Sequence, residues 1–281
     1  MAGNVPLSIP FARDRRLKLG WRDLVRIVAL AVVALEVGFV LNQPGSGGDA
    51  HAYWAAQFPD PYAGSAVDQR DAYLYSPAFL HAITPLRWLP AELFNIVWTI
   101  GLAAIVVWLA GPVIAAIVLV PTPFSPVFTE IWFGNISLLL AVVAARGLHF
   151  PAFWALAILT KVTPGVCLLW FAVRREWSKL AIALGVTAGI ALVSFALAPD
   201  AWFSWVRLLV GSSDVASEAH VPNLAIRIAV AAALIVIGAL RSEPRVLPPA
   251  IIIALPVFWY ASFSILLVWV YQLRQRARET A

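Results

Sequence analysis

The chain has 281 residues, 62% of them hydrophobic and 12% charged, with a mean hydropathy of +0.84 and a formal charge of +5. Soluble domains are roughly 45–50% apolar and about 25% charged, and no soluble fold of this size hides so large an apolar excess. A cytosolic enzyme, a disordered chain and a disulfide-framed secreted protein are therefore excluded. One Cys and four His leave little for a metal cluster, so no metal site and no cofactor is expected, with divalent-metal dependence left open. The 20 Pro and 16 Gly in so apolar a chain predict short or interrupted helices.

The stretch 1–23 is basic, with Arg13, Arg15, Arg16, Lys18 and Arg22 (Arg26 follows) against Asp14 and Asp23. Under the positive-inside rule this end is cytoplasmic. Residues 24–41 form the first span, long enough to cover most of a hydrocarbon core of about 30 Å. Asn42-Gln43-Pro44 lacks the small residues of a cleavage site, so the span is read as uncleaved. Residues 42–91 then form an extracytoplasmic loop, mildly acidic through Asp49, Asp60, Asp68 and Asp71. Its aromatic side chains, among them Tyr53, Trp54, Tyr73, Tyr75 and Trp88, predict interfacial helices lying along the outer surface.

Residues 92–110 return inward as a full span. A short run, 113–120, is stopped by Pro121, Pro123 and Pro126; a polar turn around Glu130 and Gly134-Asn135 follows, then 136–145 and Arg146. Residues 151–159 and 165–173 read as two short helices meeting at Lys161-Val162-Thr163-Pro164, because Arg146 and Arg174-Arg175 both mark the cytoplasmic side. Residues 180–198 are a full outward span, and 199–222 a second extracytoplasmic loop with Trp202, Trp205, Arg207 and His220. Residues 224–240 return to Arg241; 246–270, broken at Pro256, are a further pair of short helices. The tail 274–281 carries Arg274, Arg276 and Arg278 and is cytoplasmic. The reading is a single integral membrane domain over 1–281 in the cell membrane. It is all-α and polytopic, with both termini inside and about ten transmembrane or partly inserted helices.

In this orientation the breaks at 121–135, 160–164 and 255–260 share the outward ends of shortened helices. Irregular backbone at membrane depth is tolerated where protein or a water-filled cavity satisfies it, so these breaks predict a hollow facing outward beneath the first loop. Lys161, set in an apolar run, costs roughly 2.5–3.5 kcal/mol at a helix centre and so calls for a cavity or a counter-charge. It either binds an anion such as a lipid-linked phosphate, snorkels to the interface, or pairs with Glu130. Asp49 lies in Gly47-Gly48-Asp49-Ala50-His51. A carboxylate there suits a general base toward a hydroxyl, with the glycines allowing close approach of a ligand and His51 assisting; the alternative is a helix N-cap. Tyr73 and Tyr75 suit stacking on a sugar ring or interfacial anchoring; Asn223 begins a span as a cap residue does.

Several stretches together resemble glycosyltransferase family 87, whose members include polyprenol-phosphate-mannose-dependent mannosyltransferases. They are Gly48-Asp49 with Tyr53, Tyr73-Leu74-Tyr75-Ser76-Pro77, Pro85-Leu86, Leu89-Pro90, Gly134-Asn135, Lys161-Val162-Thr163-Pro164, Arg174-Arg175-Glu176-Trp177, Asn223 and Pro256-Val257-Phe258-Trp259-Tyr260. The resemblance implies a type C glycosyltransferase fold with its site at the extracytoplasmic surface. It implies an inverting transfer of a sugar, mannose favoured, from a polyprenyl-phosphate donor to a lipid or cell-envelope glycan acceptor, with no nucleic-acid partner. Asp49 falls at the catalytic position. Lys161, with Arg207 and His220, is the candidate set for the donor phosphate; His51, Tyr53, Tyr73, Tyr75, Asn135, Asn223 and Trp259 are candidate substrate-binding residues. A membrane transporter or lipid flippase, which also uses broken helices, and a catalytically inactive relative are the alternatives.

Overall fold

The computed structural model describes residues 20–63, 65, 72–211 and 222–280, and among these every regular element is helical. Helix α1 (Trp21–Leu41) begins at Gly20, whose backbone N–H is held by the Asp23 carboxylate at 3.3 Å. After it, α2 (Gly48–Ala55) and α3 (Pro77–Ile83) are short, and α4 (Ala91–Ala110) is again long. Gly111, at φ 82°, ends α4, and Pro112 opens α5 (Pro112–Val118) at the one helical position where its missing N–H costs nothing. Next come α6 (Pro126–Phe133), α7 (Ser137–Arg146), α8 (Trp154–Lys161) and α9 (Leu169–Val173), the last two joined by a 3-10 turn over Thr163–Leu168. The chain closes with α10 (Trp177–Leu197), α11 (Pro199–Gly211), α12 (Leu224–Leu240), α13 (Leu247–Ala254) and α14 (Leu267–Glu279).

Among the described residues, α1, α4 and α10 are long and apolar enough to cross a membrane, and α6 with α7, bent by 118°, makes a fourth span if counted as one. About ten transmembrane or partly inserted helices were expected; the next-longest apolar stretches, Pro151–Lys161, Thr163–Val173, Leu224–Leu240 and Pro244–Ala254, have 10–17 residues with their 3-10 turns included, too short for a straight crossing of about 30 Å. Proline and glycine are the reason: proline lacks the N–H that would continue the ladder, and glycine adopts the positive φ that ends a helix, as at Gly111 and Gly134. The breaks expected near Lys161 and Pro256 are present: α8 stops at Lys161, and α13 gives way to an irregular segment before a 3-10 turn over Tyr260–Leu266. The long helices turn apolar side chains outward, with Leu35 of α1 74% and Leu192 of α10 68% exposed, as lipid-facing helices do.

Two cores result. The larger joins α4–α9 and α12–α14 around Trp154, Leu138, Phe171, Ile251 and Val268. The smaller is aromatic, and gathers Tyr53, Tyr62, Tyr73, Tyr75, Phe79, Phe94 and Trp205 from α2, α3, α4, α11 and the segments between them. This corrects the expectation of interfacial rings in the first loop. Trp88 is 81% exposed, but Tyr53 and Tyr73 are each 1% exposed, packed edge-to-face instead of facing a headgroup layer. Their hydroxyls explain why burial is tolerated: Tyr73 donates to the Ser76 carbonyl at 2.9 Å and Tyr62 to the Tyr75 carbonyl at 2.7 Å.

Candidate functional site

Asp49 stands in the first turn of α2 and does not cap it. The N-cap is Gly47 (φ 74°), and no side chain caps the helix. Gly47 has a packing role: a Cβ on it would lie 2.2 Å from the Asn95 side chain of α4, whereas one on Gly48 would meet only Phe133, at 3.9 Å. The Gly47 N–H donates to the Trp132 carbonyl at 2.6 Å, which seats α2 on the end of α6. Gly134, the other close approach, has φ 72° and would press a Cβ to 2.8 Å from Ala50. These two positions need glycine, and they bring Asp49 beside Asn135.

Asp49 lies in the field of Lys161, and the Asn135 side chain is near enough to favour its ionised form. Burial pushes its carboxyl above the ordinary aspartate value, and the Lys161 charge and the Asn135 amide pull part of the way back. Lys161 ends α8 and is followed by Val162 at φ 53°, a β-branched residue in the left-handed region, where strain costs on the order of 1–3 kcal/mol. Its ammonium lies 4.7 Å from the centre of the Tyr75 ring, over the ring face. Ser76 sets that contact: its hydroxyl donates to the Leu159 carbonyl at 2.5 Å and accepts from the Phe79 N–H at 3.4 Å, tying the Tyr75 segment to α8 while capping α3. Tyr53 and Tyr75 share a hydroxyl contact of 3.1 Å. Burial and the neighbouring Asp49 carboxylate raise both phenols, so each remains a neutral hydrogen-bonding group near pH 7.

Asp49, Tyr53, Tyr75, Asn135 and Lys161 therefore meet, although α2 and α8 are far apart in sequence. The other candidates do not join them. Tyr73 belongs to the aromatic core behind the site. Asn223 is spent as the cap of α12, accepting from the Ala225 N–H at 2.8 Å. Arg207 turns back on its own helix, donating to the Phe203 carbonyl and the Ser204 hydroxyl, both at 3.3 Å. Trp259 precedes the last 3-10 turn and is 51% exposed. His51 is exposed with its ring 5.7 Å from that of Trp54, and His220 lies outside the described residues.

Glu130 was expected in a polar turn. It is instead in α6 and fully buried, because its carboxylate accepts from the Ser137 N–H at the start of α7, at 2.5 Å. A carboxylate seven residues before a helix start, across Gly134-Asn135, was the signal in the sequence. Glu130 also lies in the field of both Asp49 and Lys161. Arg227, 7% exposed in α12, was passed over as well; a lone arginine inside an apolar run was its signal. Among the described residues no three His, Cys, Asp or Glu side chains group as metal ligands.

A carboxylate with a raised pKa, a cation in its field and a neutral amide on its edge form a site able to take a proton and to stabilise an anion. Comparison with known families gives the class of the chain: the model of glycosyltransferase family 87 matches residues 73–281, well over half of it. The chain belongs to glycosyltransferase family 87. A family 87 protein is a membrane glycosyltransferase, which needs a sugar donor and an acceptor, and the apolar helices of this one suit a membrane. The match covers Tyr75, Asn135 and Lys161 and begins after Asp49. Neither the curated proteins nor the solved structures yield a match.

Proposed function

We propose that this family 87 enzyme moves a sugar, mannose favoured, from a polyprenyl-phosphate donor to a hydroxyl of a lipid or cell-envelope glycan, at the extracytoplasmic face. Asp49 takes the proton of the acceptor hydroxyl as that oxygen attacks the anomeric carbon. The bond from that carbon to the phosphate oxygen breaks, its electron pair stays on the phosphate, and the sugar is inverted. Lys161 offsets the negative charge of the leaving phosphate.

The observation that carries this reading is that Lys161 of α8 and Asp49 of α2, far apart in sequence, lie in each other's field beside a largely aromatic core. A second feature is consistent with a lipid-linked donor. A cavity of about 320 Å³ between α3, α7, α8 and α10 is lined by Ala78, Phe79, Ala155, Leu156 and Leu159, and reaches Thr160, next to Lys161. In this reading an isoprenoid chain lies along that cavity and runs toward the helix end that carries Lys161.

The test uses the purified full chain in lipid nanodiscs with radiolabelled polyprenyl-phosphate-mannose and a lipid acceptor extract. Label is expected to move to the acceptor, and Asp49→Asn is expected to reduce the rate on the order of 100- to 10,000-fold, the usual contribution of a general base. Transfer at the unmodified rate by Asp49→Asn sinks the assignment of the base.

A further inference from the structure

Asn135 sits where α6 turns into α7, and Glu130 makes that turn. The Glu130 carbonyl accepts from the N–H groups of Gly134 at 3.0 Å and Asn135 at 3.2 Å. Its Oε1 accepts from the Ser137 N–H at 2.5 Å, one of the donors that a helix start leaves without an intrahelical partner. One residue therefore holds both arms of the 118° bend. Trp98 of α4 buttresses it, its Nε1 donating to the Gly134 carbonyl at 2.7 Å.

The bend decides which atom of Asn135 faces Asp49. Oδ1 of Asn135 accepts from the Ile136 N–H at 2.6 Å and from the Tyr75 hydroxyl at 3.5 Å. With Oδ1 so occupied, and with Gly134 packed on Ala50, the amide nitrogen is the atom left to face the Asp49 carboxylate. A neutral acceptor would serve the turn alone. Glu130 is instead a fully buried acid whose Oε2 has no hydrogen-bond partner among the described residues.

We propose that Glu130 is a positioning residue for Asp49: by locking the bend between α6 and α7 it keeps the Asn135 amide on the Asp49 carboxylate. The titratable groups coupled to Asp49 are Lys161 of α8, Glu130 of α6, Tyr53 of α2 and Tyr75 before α3. Helix α4, also packed on α2, meets it through Asn95 and Trp98. Losing the amide bond raises the Asp49 pKa, because that bond favours the ionised form. Removing the Glu130 acid also changes what surrounds Asp49, so the loss of the acceptor has to be separated from the loss of the acid itself.

The significance of this positioning for catalysis rests on Asp49 being the base; the experiment itself needs no turnover. Infrared titration of the full chain in nanodiscs follows the carboxyl stretch that vanishes in Asp49→Asn. Glu130→Gln removes the ionisable acid and keeps an oxygen for Ser137, whereas Glu130→Ala removes both. Asp49 is expected to titrate about one pH unit higher in Glu130→Ala than in Glu130→Gln. Asn135→Ala is expected to raise it by a similar amount in the Glu130→Gln background and to leave it unmoved in the Glu130→Ala background. Equal titration of Glu130→Ala and Glu130→Gln overturns the proposal. So does an Asn135→Ala change without effect in the Glu130→Gln background, and that arm decides alone if Glu130→Ala does not fold. Retained transfer by Asp49→Asn would remove the general-base reading and leave this result standing.

Discussion

Lys161 and Arg227 are both cations set at helix ends in apolar surroundings, and they are held in opposite ways. Each of the three side-chain nitrogens of Arg227 holds a carbonyl: Nε that of Pro222 at 3.0 Å, and the two terminal nitrogens those of Leu255 at 2.7 Å and Pro256 at 3.1 Å. It staples the start of α12 to the break after α13, supplying the donors that irregular backbone lacks. Lys161 has a tyrosine ring face as its neighbour, and its charge acts on Asp49 and Glu130 without a contact ion pair among the described residues. Burial alone does not mark a cation as a ligand site; what its donors already hold does.

This contrast breaks if the two residues fail in the same way. Arg227→Ala strands three carbonyls that had charge-assisted donors, and a loss of about 3 kcal/mol is expected, read as a fall of several degrees in the Tm of the detergent-solubilised chain. Donor KM of the protein that remains folded should be close to unmodified. Lys161→Ala is expected to do the reverse, raising donor KM about 10- to 100-fold, the equivalent of one charge-assisted bond, with little change in Tm. A common fall in Tm with unchanged KM would make Lys161 a second staple.

The pH profile sharpens the contrast further. Asp49 titrates above its ordinary value of 3.8, and a base works only when ionised, so kcat/KM should fall as pH drops through that raised value. Lys161 lowers the Asp49 pKa, so Lys161→Ala should move this acid limb to higher pH, while Arg227→Ala should leave it in place. The smallest effect expected is for Tyr75→Phe. It keeps the ring under the ammonium and loses a neutral hydroxyl that contacts Tyr53 and Asn135, for a reduction of about 2- to 10-fold in kcat/KM.

The first, fourth, tenth and twelfth helices lie within a few residues of the expected spans, because an apolar run bounded by charges or Pro and Gly is a local signal. The break at Lys161 was equally legible, since Pro164 cannot continue a helix and the basic residues on either side leave no room for two crossings. Asp49 and Lys161 stood out as rare charges in apolar company, and the structure brings them together. Arg207 and Asn223 stood out too, but one folds back on its own helix and the other caps a helix start. Nothing in their local sequence separates these outcomes.

Hydropathy, charge bias and breakers are sums over neighbouring residues, which is why composition and pattern were enough for the membrane class, the helical content, the long spans and the places where helices stop. The site depends on distances between segments that such sums never compare. Ser76 reaches the Leu159 carbonyl 83 positions away, and the tyrosines read as surface anchors close a core behind Asp49. Glu130 reads as a turn residue until α7 places its first N–H against the carboxylate. The free energy of a buried charge is set by what surrounds it in space, so the partner of each ionised group was fixed by packing alone.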